Sequence, residues 1–225
     1  MKTAIFGAGQ IGTALENVLE DEYDISLFDI NNDINENYQI IHICFPYNKY
    51  FEKEVKKYQK QTKAKYTVIH STVPVGTSKK LGAWHSPVIG IHPNLENGIR
   101  TFDKFLGGKN DTKLINYFRR AGIKIYPTQK AESTELMKIL CTTYYGVCIE
   151  YTKEVNKLCK TNKVPFELWT LWNNNYNKGY KTLNQEQFIR PNLIPMENKI
   201  GGHCVLSNTK LIKSKFARFI SELNE

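Results

Sequence analysis

Three glycines at the exit of the first apolar run decide most of what this chain can become. In "KTAIFGAGQIG" a short buried-type run passes through Gly7, Gly9 and Gly12 directly into "QIGTALENVLEDE", which carries helical periodicity, and then into a second apolar run, "YDISLFDI". The first and third segments have strand length and the middle one helix length, so the stretch reads as one βαβ unit with a parallel strand pair. The glycine spacing is GxGxxG. Alone it is a weak pattern, but between a strand and a helix each glycine has a distinct role. Gly7 makes a tight turn, Gly9 lets backbone approach a pyrophosphate closely, and Gly12 lets the helix pack on the strand. Asp29 ends the second run, where a carboxylate accepts hydrogen bonds from ribose hydroxyls and repels a 2′-phosphate. The expectation is a dinucleotide site that prefers NAD to NADP. The expected cofactor contacts are Gly7, Gly9, Gln10, Ile11, Gly12, Asp29, Pro46 and Thr72.

Further strand patterns follow in "YQIIHICFPY", "AKYTVIHSTVP", "SPVIGIHP" and "IKIYPTQ", with helical patterns in "YFEKEVKKYQKQ" and "DTKLINYFRRAG". Alternating strands and helices predict an α/β fold, a Rossmann-like doubly wound parallel sheet. From Ala131 to about Thr161 the pattern changes to one long helix with apolar residues at Leu136, Ile139, Leu140, Tyr144, Val147 and Cys148. We therefore expect an NAD-binding domain over 1–127 and a helical region over 128–225, with Asn-rich 173–195 irregular. Arg190 and Tyr180 in that segment are candidate anion and sugar contacts. The excess of apolar and aromatic surface on the long helix (Tyr144, Tyr145, Val147, Ile149, Tyr151) predicts a two-fold interface and a homodimer.

Composition limits the remaining classes. The five cysteines (Cys44, Cys141, Cys148, Cys159, Cys204) form no CxxC and the five histidines are scattered, so no metal site is expected and the thiols read as reduced. A formal net charge of +9 is spread along helix faces such as "EVKKYQKQTKAK", which favours attraction of small anionic ligands over nucleic acid. No apolar run reaches about 18 residues and no leader pattern precedes the first strand, so a cytoplasmic protein without a membrane span is expected.

Two further motifs carry chemistry: "STVPVGTS" (Ser71 to Ser78) and "GGHC" (Gly201 to Cys204). With the glycine fingerprint, in this order, they make the chain resemble the UDP-glucose/GDP-mannose dehydrogenase family over nearly its whole length. The resemblance covers that family's nucleotide-binding domain and central helical region and leaves no residues for its third domain. It implies oxidation of a sugar-nucleotide alcohol to a carboxylate with two NAD and a cysteine-linked intermediate. By the same resemblance Cys204 is the nucleophile, Lys138 in "TELMK" the active-site lysine, and Thr72 the active-site threonine. A thiolate adding to an aldehyde, an ammonium that favours thiolate and oxyanion, and a hydroxyl that orients substrate are the chemistry those residue types supply.

This chain departs from the family at two positions, with Thr142 where the family has Asn and Asn208 where it has Asp. An amide at 208 carries no charge and takes up no proton, so thioester hydrolysis is expected to be slow or absent. Glu96 in "NLENG" lies near the family's glutamate loop. Without the resemblance, Cys204 reads first as a small packing residue, Lys138 as a solvated helix-face residue, and His70, His92 and His203 as structural or supporting residues rather than catalytic ones. Three functions stay open: a sugar-nucleotide dehydrogenase-like oxidoreductase acting on a sugar nucleotide or other anionic polyol, a non-catalytic NAD-binding or regulatory protein, and a two-electron dehydrogenase of a smaller hydroxy acid.

Overall fold

A computed structural model describes residues 1–29, 34, 36–201 and 204–224. The strands are β1 (Thr3–Phe6), β2 (Ile25–Phe28), β3 (Ile40–Ile43), β4 (Tyr66–Ile69), β5 (Trp84–His85), β6 (Lys104–Gly107) and β7 (Ile125–Thr128). The helices are α1 (Gln10–Leu19), α2 (Phe51–Thr62), α3 (Thr77–Lys80), α4 (Leu95–Thr101), α5 (Thr112–Arg120), α6 (Ala131–Thr161), α7 (Phe166–Thr182), α8 (Val205–Thr209) and α9 (Lys215–Glu222). The chain divides into two compact units, Met1–Lys138 and Ile139–Glu225, with α6 running through the division.

In the first unit the strands form one sheet in the order β2-β1-β3-β4-β5-β6-β7. Alternate side chains serve its two faces. Ile5, Ile40 and Val68 join Leu15, Leu19, Ile99, Leu114 and Phe118 on one face, while Phe6, Ile41, Ile43 and Ile69 join Phe51, Val55 and Tyr58 on the other. Both faces are covered by helices, which is why the strands read as continuous apolar runs. The chain leaves β1 for β2 on one side and returns to β3 on the other, so the topological switch point lies between β1 and β3.

The sheet is not wholly parallel as expected: β5 and β6 pair antiparallel, and β7 follows β6 in parallel. The strand expected in "SPVIGIHP" does not form: the ladder takes Trp84–His85 just before it and leaves 86–93 outside the sheet. Pro87 has no N–H to offer a neighbour. The carbonyls of Ser86, Pro87 and Val88 are instead taken by lysine side chains, with Lys104 Nζ at 2.9 Å from Ser86 O and 3.2 Å from Pro87 O, and Lys138 Nζ at 2.8 Å from Val88 O.

The second unit packs α6 against α8 and α9 around Ile149, Ile200, Val205 and Ile220. The segment 173–195, expected to be irregular, is helical as far as Thr182. Three of its asparagines make tertiary bonds: Asn177 exchanges two 2.9 Å hydrogen bonds with the Arg190 backbone, and Asn192 Nδ2 donates to Asn174 Oδ1 at 2.9 Å. The Asn-rich helix face thereby ties down the returning chain.

Candidate functional site

The expected cofactor residues all follow the carboxyl ends of β1 to β4, the edge at which open α/β sheets bind ligands. Gly7 comes directly after β1 with φ +105°, and a Cβ there would stand 2.8 Å from Phe45 N. Gly9 is the N-cap of α1, extended, with nothing within 4 Å of where a Cβ would be. A Cβ on Gly12 would collide with the Gly7 carbonyl oxygen, so only glycine lets α1 close onto the turn. Helix α1 has no side-chain cap and no acidic residue in its first turn. Its leading amides, which include those of Gln10, Ile11 and Gly12, have no acceptor inside the helix and suit an anion. Asp29 follows β2 and is exposed, Pro46 lies past β3 and is exposed, and Thr72 lies past β4, half-buried. An uncapped helix start, an open face at Gly9 and a carboxylate after β2 are a donor set that fits a dinucleotide.

The Thr72 loop is anchored from several sides. Ser71 Oγ donates to Phe45 O at 2.6 Å, and His85 Nε2 lies 3.1 Å from Ser71 O. Glu135, fully buried on α6, accepts from Gly76 N at 2.6 Å and Ser78 N at 2.8 Å. One carboxylate thus joins "STVPVGTS" to "TELMK", the motif that carries Lys138. Lys138 itself is half-buried with its Nζ on Val88 O.

Beneath this edge lies a polar chain inside the sheet. His70 Nδ1 lies 2.7 Å from Ser86 O, and since a carbonyl only accepts, that nitrogen carries the proton. His70 Nε2 then accepts from His42 Nδ1 at 2.9 Å, and His42 Nε2 faces Tyr117 Oη at 3.1 Å. Burial pushes His42 and His85 down to about 3 and His70 well below its usual value, with the Lys104 charge adding to each. His70 thus spends both ring nitrogens on partners within the fold.

In the second unit Cys204 is exposed and caps the short helix α8. Val205 is buried against Gly146 of α6, where a Cβ would come within 2.8 Å of Val205 Cγ1 and 3.0 Å of Ile220 Cδ1. One turn earlier on α6, Thr142 Oγ1 accepts from Asn208 Nδ2 at 3.3 Å. The two positions at which the chain departs from the family it resembles are therefore bonded to each other. Gly202 and His203 lie outside the described residues. None of the five cysteines forms a disulfide.

Other candidates are used elsewhere. The Arg190 guanidinium stacks 3.7 Å over Tyr176, and Tyr180 sits between Tyr176 and Phe188. Glu96 is bonded to Asn17 and Arg100 on the surface, and the Asn17 bond, followed by that of Arg100, lowers its carboxyl pKa. Among the described residues there is no cluster of possible metal ligands, and no helix is long and apolar enough to cross a membrane. Sequence reasoning missed Glu135, Lys104 and Gly146. A glycine inside a long helix was the available signal for Gly146.

No family model and no curated relative matches this sequence. Among solved structures, a UDP-D-ManNAc dehydrogenase from Pyrococcus horikoshii aligns over 100% of this chain and 68% of its own, with 16% identity and a TM-score of 0.73. A UDP-N-acetyl-mannosamine dehydrogenase from Staphylococcus aureus aligns over 100% and 67%, with 16% identity and a TM-score of 0.69. A 3-hydroxyisobutyrate dehydrogenase from Mycobacterium tuberculosis aligns over 99% of this chain and 92% of its own, with 12% identity and a TM-score of 0.69. At these identities the likeness establishes the shared fold.

Proposed function

We propose that this chain is an NAD-dependent oxidoreductase acting on an alcohol group of a sugar nucleotide or similar anionic polyol. The observation that carries the proposal is the glycine turn, in which Gly7 and Gly12 are sterically obligatory and Gly9 faces open space at an uncapped helix start. The solved sugar-nucleotide dehydrogenases that share the fold support the reaction class.

In this reading Gly7, Gly9, Gln10, Ile11 and Gly12 hold the pyrophosphate, Asp29 takes the ribose hydroxyls, and Pro46 and Thr72 flank the rest of the cofactor. When bound, NAD supplies a hydride acceptor. Thr72 orients the substrate hydroxyl from a loop that Glu135 fixes. Cys204 is read as the nucleophile, whose thiolate sulfur bonds to the carbonyl carbon of an aldehyde as the oxygen takes up the negative charge, and Lys138 is read, by the family resemblance, as the active-site cation. Asn208 and Thr142 hold α8 on α6 and supply no base. The nucleotide domain is taken as 1–127 and the active-site region as 128–225.

A second reading, a two-electron dehydrogenase of a smaller hydroxy acid, is favoured by the alignment with 92% of a 3-hydroxyisobutyrate dehydrogenase. NADH formation across a panel of sugar nucleotides, free sugars and hydroxy acids decides between them. Turnover of a sugar nucleotide supports the first, turnover confined to hydroxy acids supports the second, and binding of NAD without turnover of any substrate returns the chain to the non-catalytic class.

A further inference from the structure

Lys104 is the least expected side chain of the first unit. It opens β6, is only 4% exposed, and donates to the Ser86 carbonyl at 2.9 Å and the Pro87 carbonyl at 3.2 Å. Both acceptors are neutral, and an ammonium buried without a carboxylate is costly. The next carbonyl along, Val88 O, accepts from Lys138 at 2.8 Å. Two lysines from β6 and α6 thus converge on three consecutive carbonyls, and Ser86 O is shared with His70 Nδ1 at 2.7 Å.

We propose that Lys104 is a positioning residue for Lys138: it fixes the carbonyl run on which the Lys138 ammonium rests, and its own charge sets how readily Lys138 keeps its proton. The proposal rests on the reading of Lys138 as the active-site cation.

Burial brings the Lys104 pKa down to about 7; Cys44 opposes that shift and the neighbouring Lys138 charge adds to it. The other titratable groups around Lys104 come from each packed element: His42 on β3 with Cys44 just after it, His70 after β4, His85 on β5, and Lys138 on α6. Glu135 on α6 is engaged with the Gly76 and Ser78 amides. His42 and His85 lie at about 3, His70 well below its usual range, and Cys44 is pushed up to about 12. Among Lys104, Cys44 and the three histidines, Lys104 is therefore the group that changes charge between roughly pH 5 and pH 9. As pH falls through about 7 it gains a proton, and the second positive charge raises the share of Lys138 that is neutral amine above a single titration line.

The test is trace acetylation with acetic anhydride across pH, read peptide by peptide by mass spectrometry and normalised to exposed Lys56. It needs no turnover, so it stands apart from failure of the NAD reading, which the cofactor titrations decide. In the wild type, Lys138 labelling should fall less steeply below about pH 7, leaving it several-fold above the extrapolated line at pH 6. Lys104→Met, which removes charge and donor, and Lys104→Gln, which keeps a donor without charge, should both remove that break. A wild-type profile with a single titration overturns the proposal whatever the variants do, and so does a break that persists in either folded variant.

Discussion

The side-chain amide of Asn208 donates to the hydroxyl of Thr142 across 3.3 Å, and that hydroxyl already spends its own proton on the Ile139 carbonyl at 3.0 Å. The pair therefore has a polarity: position 208 must donate and position 142 must accept. A carboxylate at 208 would meet an oxygen whose proton is committed. Asn208→Asp is expected to cost about 1–3 kcal/mol, and Thr142→Asn in the same chain, which supplies an amide donor, to restore most of it. Urea unfolding of the two single variants and the double variant measures this. An Asn208→Asp midpoint equal to wild type would contradict it.

Gly146 seats the start of α8. Gly146→Ala should overpack Val205 and Ile220, lower stability by about 1–3 kcal/mol, and shift the residue next to Cys204. Iodoacetamide labelling at neutral pH should modify Cys204 first among the five thiols in the wild type, and the variant should lose that order relative to exposed Cys141. Unchanged selectivity in a destabilised variant would separate Cys204 reactivity from the packing of α8.

The β1–α1–β2 unit and the bounds of α6 were legible because a glycine fingerprint and a long helical period are local signals. The lysine that heads "KFLG" hid β6, since an interior ammonium breaks an apolar pattern that only the Ser86 and Pro87 carbonyls explain. Helix α7 was hidden by asparagines whose partners lie far along the chain at Arg190 and Asn192. The same limit applies to the site. Residue types at Cys204, Lys138 and Thr72 were readable, but the Glu135 clamp and the Thr142–Asn208 bond are contacts between segments distant in sequence.

The buried histidines predict acid lability. His42 and His85 take protons in the unfolded chain near pH 6.5 but in the folded one only near 3, so the unfolded state binds more protons across that window. Stability should fall as pH drops from 6.5 toward 3, each group adding roughly 1 kcal/mol per pH unit, with His70 acting in the same direction. Lys104, lowered from 10.5 to about 7, makes stability rise with pH between those values. Urea midpoints across pH should show both slopes, and Lys104→Met should flatten the alkaline one. A flat acid limb would mean that the histidines are not held neutral.

On α6, Tyr144 and Tyr151 are 61% and 60% exposed and Tyr145 is exposed as well, whereas Ile149 is buried and Val147 half-buried in the core of the second unit. The expected interface therefore rests on the three tyrosines. Sedimentation at micromolar concentration should give a dimer that Tyr144→Glu with Tyr151→Glu dissociates. A wild-type monomer of 26.0 kDa would remove the interface.

The most direct measurement is calorimetric titration of wild type, Gly9→Val and Asp29→Ala with NAD and NADP. Wild type should bind NAD more tightly than NADP. Gly9→Val should stay folded, with a melting temperature lowered only by the poorer N-cap, because no atom lies within 4 Å of that Cβ, while losing NAD binding. Asp29→Ala should lose the preference for NAD. No heat with either cofactor, or undiminished NAD binding by Gly9→Val, would contradict a dinucleotide site at the glycine turn.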